Sequence, residues 1–525
     1  MSDRDAARLA CLAFAVVVVA GVLLRPAMPI DETRYLAVAW EMWLSKDWLV
    51  PTRNFEIYSH KPPLLFWAIN AVWWFTGVSE VAARLVGPAF AVLAIVLTGR
   101  LARTLWPDDA EAGPRAVIAL CGLLLFAVFG GLTMFDAALT AATAGATLAL
   151  VRAVATGRWR DWALLGFAVA AGVLAKGPVI LLHVVPALVL VPVWAGGGTA
   201  RAPGRRVVAG GAACALAVAL AVVGLWLVPA VVAGGPDYRD AVLWTQSAGR
   251  MSASFAHAKP LWFYAVALPV LLFPWLWVPG LWRAAGRQGI WREPGLRLCL
   301  VWFGAALLLF SLISGKQVHY LLPGLGAAAL VVARLSRNAR DGLWVAAIPV
   351  LGLAAAGFAA AAGFVSLGDA GNLIHPRSIL VAWVMLLLGI AWLAIRLGGL
   401  RGGAVLSLGL LLSVDLAVGL TDTRGIYDTH GIAAIVAPHA AAGLAFYGQT
   451  YHAEFNFAGR LRQPVANPMS AAALRDWAAA HPGGRIVARP DRSAPGWPPR
   501  EIVLFRNAPY GIWTVADAPL AEPGA

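Results

Sequence analysis

PPLLFWAINAVWWFT, Pro62 to Thr76, is the stretch on which the fold turns. It is apolar enough for a membrane crossing but short of the roughly 20 residues that a spanning helix needs. Counted as a crossing, it would put Arg100 and Arg103 outside and invert every later basic cluster, whereas lysine and arginine concentrate in short cytoplasmic loops. Parity therefore makes it a re-entrant or interfacial helix, a level of the bilayer that suits its three tryptophans.

Outward from it, the chain is membrane-like. Of 525 residues 60% are apolar and 13% charged, with a mean hydropathy of +0.74, so most of the chain is expected in lipid. The 41 Lys and Arg against 27 Asp and Glu fall in short clusters between apolar runs. That pattern marks topology and gives no basic face for nucleic acid. The clusters are Arg100/Arg103/Arg115, Arg152/Arg158/Arg160, Arg201/Arg205/Arg206, Arg283/Arg287/Arg292, Arg334/Arg337/Arg340 and Arg396/Arg401. Two apolar runs separate each from the next, as hairpins that leave the cytoplasm and return require.

The spacing predicts spans at 9–25, 82–106, 115–132, 137–155, 162–175, 178–195, 207–232, 262–282, 296–313, 318–334, 343–366, 378–396 and 403–420. The fold class is thus a polytopic α-helical membrane protein of about 13 transmembrane helices. The N-terminus is expected in the cytoplasm, the first helix is read as retained, and the tail lies outside. Residues 1–420 form the membrane domain, including extracytoplasmic juxtamembrane segments at 26–81. Residues 421–525 carry strand-like runs at 443–448, 483–489 and 501–505 and a helical stretch at Met469 to Ala480, a small α/β domain. Cys11, Cys121, Cys214 and Cys299 all fall in proposed spans, so no disulfide framework is implied.

This topology brings a set of ionisable residues to one face. Asp31, Glu32, Arg34, His60, Lys61, Asp136, Lys176, the loop Gly234 to Pro260, and Lys316, His319 and Tyr320 all fall at outer helix ends or in outer loops. Asp31 opens an amphipathic segment carrying Tyr35, where a carboxylate serves equally as a helix cap. Asp136 stands between two apolar runs, where ionisable groups are expensive and usually functional. Lys61 precedes Pro62-Pro63, a helix start suited to an anion. Lys176, in a tight hairpin, reads as a phosphate contact or a snorkelling lysine. Arg250, His257 and Lys259 lie in a loop long enough to close over a substrate. Lys316 shares a helical face with His319 and Tyr320. Cations beside acids at the outer leaflet suit a phosphorylated lipid head group.

DETRY at 31–35, KPPL at 61–64, FDAAL at 135–139, AKGP at 175–178, the histidine loop and the segment from Lys316 through His319-Tyr320 to Pro323 resemble bacterial GT-C glycosyltransferases. The type is that of dolichyl-phosphate-mannose and aminoarabinose transferases, and the resemblance covers residues 28–335. It implies juxtamembrane helices after the first span, a soluble outer C-terminal domain, and a periplasmic active site in a bacterial inner membrane. It implies Asp31 as principal catalytic acid residue, with Asp136 the second acidic position. Arg34 and Lys61 then contact phosphate, and Glu32, Tyr35, Lys176, Arg250, Lys316, His319 and Tyr320 complete the substrate contacts. Relatives carry Glu where this chain has His60, so a divalent metal (Zn, or Mg/Mn) would rest on His60 and His257. No nucleotide cofactor is expected.

The expected reaction is a single inverting displacement: an acceptor oxygen attacks the anomeric carbon and polyprenyl phosphate leaves. The donor is a polyprenyl-phosphate-linked sugar, and the acceptor is lipid A, another glycolipid or a protein. Asp31 acts as general base for a hydroxyl acceptor, or as orienting group for a phosphate. The rival expectation is a transporter or flippase of a polyprenyl-linked or anionic lipid, which would place its polar residues at the midplane.

Overall fold

The computed structural model describes residues 2–196, 204–242, 258–339, 342–365 and 377–518. The chain divides into two compact units. One holds Met1–Val22, Ser59–Leu65 and Arg84–Ala417; the other holds Leu23–Tyr58, Phe66–Ala83 and Val418–Ala525.

The first unit is a helical bundle. Among the described residues ten helical runs are long and apolar enough to cross a membrane, and the bent pair Ala112–Cys121 and Leu124–Gly130 brings the number to eleven. Two further crossings follow from the packing. The helix Trp159–Lys176 ends at Gly177, whose φ of 76° and ψ of −162° only glycine adopts without strain, and the chain turns back there, so that a Cβ on Gly172 would strike Ile180 at 2.1 Å. Past the turn, His183 packs on Phe310 at 5.3 Å and Arg297 donates to the Gly196 carbonyl. Residues 181–196 therefore run antiparallel to the helix Pro294–Leu312. The helix Arg205–Asp240 then lies parallel to Trp159–Lys176. A Cβ on Gly211 would strike Trp162 at 2.1 Å, and one on Gly166 the Ala215 carbonyl at 2.3 Å, the close approach that small residues permit between membrane helices.

The second of these crossings is broken by prolines. Lys259 N–H donates to the Ser314 carbonyl at 3.1 Å at one end of the bundle, and Arg287 donates to the Asn338 carbonyl at 3.1 Å at the other. Between them run Phe263–Leu271, a 3-10 turn at Trp275–Trp277 and Pro279–Gln288; Pro269 sits inside the first helix and Pro274 at the break that follows it, because proline lacks the N–H that a helix interior requires. The expected 262–282 span is therefore a chain of short helices.

At the end holding residues 287 and 338, several arginines read as topology markers are held by carboxylates. Arg334 bridges Asp109 (3.2 Å) and Glu293 (2.7 Å), Trp106 donates to Glu293 at 3.1 Å, and Arg115 pairs with Asp109.

The second unit joins the juxtamembrane segments with the tail, where the sequence groups residues 26–81 with the membrane domain. The helix Asp31–Ser45 buries Tyr35 to Trp40 and Met42, and keeps two of its three acids, Asp31 and Glu32, in the first turn, at the positive end of the dipole. It ends at Lys46, left-handed at φ 58°. Its buried Glu41 accepts from Thr52 Oγ1 (2.8 Å), Asn54 N (2.7 Å), Phe55 N (2.8 Å) and Asn456 Nδ2 (3.2 Å). Those bonds fix the hairpin of β1 (Thr52–Arg53) and β2 (Glu56–Ile57). The helix Leu64–Thr76 has 13 residues, too few to span, and Trp73 stacks on Phe457 at 5.5 Å.

Four strands form the sheet of the tail, in the order β3 (Leu444–Phe446), β4 (Arg485–Ala488), β6 (Ala508–Thr514), β5 (Glu501–Phe505). β3 is parallel to β4 and the other pairs are antiparallel. The sequence reading stops at Phe505 and misses β6. Arg506 and Asn507, both at positive φ, make a two-residue hairpin without the usual glycine. The helix Ala471–Ala480 starts at Ser470, whose hydroxyl accepts from Ala473 N.

Candidate functional site

The expected site residues divide between the units. In the bundle, Asp136 stands in the first turn of Phe135–Thr156 and is 1% exposed. Lys176, the last residue of Trp159–Lys176, reaches it with Nζ 2.6 Å from Oδ1, so neither reading of Lys176 included its actual partner. The ammonium also lies 4.8 Å from the Tyr320 ring. Tyr320 and His319 are edge-on to each other at 5.0 Å, and His319 packs on Phe129 at 5.1 Å. Lys61 lies 5.6 Å from the Phe135 ring, and Lys61 and His319 are both charge neighbours of Asp136. The group thus sets one carboxylate against two ammonium ions, an arrangement suited to an added anion.

Lys316 is placed differently from the expectation of a substrate contact. It is 2% exposed and donates to the Lys259 carbonyl at 2.9 Å, tying two loops together. His183, buried beside Phe310 and a charge neighbour of both Asp136 and Lys176, escapes sequence reading because a lone histidine in an apolar run usually belongs to a core. Arg250 and His257 lie outside the described residues.

In the second unit, Asp31 keeps its carboxylate about half exposed. Arg34, one turn on, donates to Asp31 Oδ1, and Tyr35 Oη donates to the same oxygen at 3.3 Å. Burial, and then the Asp31 charge, push the Tyr35 hydroxyl well above its ordinary value, which keeps it a neutral donor. Glu32 is 1% exposed and faces inward, bound to Arg25 at 2.8 Å and to Met28 N at 3.0 Å. It therefore anchors the helix start that presents Asp31 and has no face toward a ligand.

Around Asp31 and Arg34 stand residues that the sequence reading missed. Arg53 lies 5.6 Å from the Tyr58 ring, and His452 feels the charges of Arg53, Arg34, Arg506 and Asp31. Burial first, then these arginines, lower the His452 pKa and keep it neutral. Nothing in the local sequence marks Arg53 and His452, since about 400 residues separate them and the hairpin supported by Glu41 brings Arg53 into place.

Among the described residues no three His, Cys, Asp or Glu side chains converge as metal ligands. His60 is exposed, and its expected partner His257 is outside the described set.

Residues 60–228 match the family model described as dolichyl-phosphate-mannose-protein mannosyltransferase. Among curated proteins, the undecaprenyl phosphate-alpha-4-amino-4-deoxy-L-arabinose arabinosyl transferase 1 of Sodalis glossinidius is 33% identical over 60% of this chain and 55% of its own length. Transferase 2 of Proteus mirabilis is 30% identical over 58% and 54%. The chain spans about half the length of these curated relatives. The crystal structure of ArnT from Cupriavidus metallidurans bound to undecaprenyl phosphate superposes with a TM-score of 0.74 at 19% identity, over 97% of this chain and 98% of that one.

Proposed function

We propose that this chain, which belongs to the GT-C superfamily of membrane glycosyltransferases, transfers a sugar from a polyprenyl-phosphate donor to an extracytoplasmic acceptor by one inverting displacement. The observation that carries the reading is the half-exposed Asp31 carboxylate, held by Arg34 and Tyr35 at the start of a buried helix. A carboxylate fixed by two donors to one oxygen keeps the other for an incoming nucleophile. With a hydroxyl acceptor, Asp31 takes the proton as the new glycosidic bond forms; with an ionised phosphate it orients the acceptor. The leaving phosphate gains charge as the anomeric C–O bond breaks, and the reading assigns its stabilisation to Arg34.

The curated relatives are named for undecaprenyl phosphate-aminoarabinose, which is therefore the first donor to try. The acceptor falls among lipid A, other glycolipids and proteins. The active face is periplasmic on this reading, because Asp136, Lys176 and Tyr320 cluster at the bundle end opposite Arg115, Arg287 and Arg334.

Wild type and Asp31→Asn, purified in nanodiscs, are to be compared for release of free polyprenyl phosphate from a panel of polyprenyl-phosphate sugars supplied with a membrane glycolipid extract. Release that falls by roughly 10²–10⁴ in a folded, lipid-binding mutant is the expected result for loss of a general base. Tight lipid binding with no release by either protein would favour transport.

A further inference from the structure

The second unit holds a cavity of about 550 Å³, well inside the roughly 300–1,000 Å³ typical of small-molecule sites. Its wall includes Arg53 from β1, Glu56 from β2 and, from the tail, Thr450, Gln463, Trp477 and His481. Every wall residue lies outside the helices long and apolar enough to cross a membrane, so a lipid tail is a poor occupant. Trp477 and His481 stack 4.7 Å apart, and His481 Nδ1 is engaged by the Trp477 carbonyl at 2.8 Å. That bond leaves the other ring nitrogen for a ligand. Gln463 and Thr450 are exposed at the wall.

The wall therefore offers hydroxyl, amide, imidazole, carboxylate and guanidinium groups next to a flat aromatic pair, the mixture that recognises a polyhydroxylated ring. Arg53 adds a direction. Its guanidinium packs over Tyr58, is a charge neighbour of the buried Glu454, and shares His452 as a charge neighbour with Arg34 and Asp31. A ligand held in the cavity with an anionic group on Arg53 would point that group toward the Asp31 cluster.

We propose that this cavity is a binding subsite for a phosphorylated saccharide, the head group of the acceptor, with Arg53 holding the phosphate and Gln463 and His481 holding the sugar hydroxyls. The assignment to the acceptor rests on the transferase reading above. It selects a glycan over a peptide as the acceptor's recognised part.

The test uses the full chain in nanodiscs and isothermal titration with three probes: glucosamine 1-phosphate, N-acetylglucosamine and undecaprenyl phosphate. Arg53→Ala should weaken glucosamine 1-phosphate about tenfold, the loss of one charge-assisted contact, with undecaprenyl phosphate unchanged. The double variant Gln463→Ala/His481→Ala should weaken both sugars. Unchanged sugar affinity in both variants overturns the subsite, as does binding by wild type of an acidic peptide in place of the sugars. Weaker undecaprenyl phosphate in the same variants would move the cavity to the donor. Sugar binding that depends on these residues in a protein that transfers nothing keeps the subsite and removes the transferase reading.

Discussion

Asp136 and Lys176 show how much a single pair can settle. Each reads from the sequence as a candidate for contact with a ligand, because an ionisable residue between apolar runs is costly unless it has work to do. The structure gives each the other as partner, at 2.6 Å with almost no water. Removing one member leaves a buried charge without its counterion, a loss of about 3–5 kcal/mol, whereas an exposed pair would cost about 0–1 kcal/mol. Asp136→Ala should therefore lower the thermal midpoint sharply in detergent. Asp136→Ala/Lys176→Met should recover much of that loss. A double-mutant cycle showing additive effects would mean that the two side chains do not act as a pair. Glu32 makes the converse case. It resembles Asp31 in the sequence, yet it is consumed by Arg25 and Met28. Glu32→Gln should cost stability first, visible as a lower midpoint, and reduce transfer through misplacement of Asp31.

The element with most consequence is the hairpin at 52–57, which the sequence shows only as a polar interruption between two amphipathic stretches. Two short strands of two residues each cannot hold themselves together, and their order comes from Glu41. Burial raises the Glu41 pKa while its four donors oppose that shift, so the folded carboxyl takes up a proton at a higher pH than in the unfolded chain. That group's contribution to stability therefore grows as pH falls through the raised value to the ordinary carboxyl range. Glu41→Ala leaves the Asn54 and Phe55 amides without acceptors, a penalty of about 1–3 kcal/mol for each buried group. Faster hydrogen exchange and proteolysis confined to residues 52–57 should follow, and with them weaker binding at Arg53. Uniform destabilisation of the whole unit would instead make Glu41 a general core contact. Helix periodicity and apolar runs were legible here. The hub was not, because Asn456 lies 415 residues away and no local pattern announces a contact of that separation.

At the scale of the whole molecule, legibility follows the solvent. Lipid admits few backbone solutions, so hydropathy and the placement of arginine carried most of the bundle, including the crossing that prolines break and the hairpin at Gly177. The tail folds in water, where four short strands and a two-residue Arg-Asn turn leave a weaker trace, and β6 went unseen. His430 offers a pH probe of that unit. Asp428 at 2.7 Å raises its pKa against the opposing effect of burial, and Glu80 at 3.3 Å adds to the rise. A raised pKa means that stability is fully present below about pH 6.5 and is lost as pH rises through the folded value. The side chain is half exposed, so the effect is modest. The thermal midpoint should fall on the alkaline side of neutrality in wild type and not in His430→Asn. The parity that disposed of Pro62–Thr76 makes a sharper demand, because an odd number of crossings places the two ends of the bundle on opposite faces. A cysteine introduced at exposed Arg475 should then react with an impermeant maleimide in spheroplasts, and one at exposed Arg160 only after permeabilisation. Labelling at Arg160 without permeabilisation would invert the bundle, put Lys176 and Asp136 on the cytoplasmic face, and remove the argument for a periplasmic reaction.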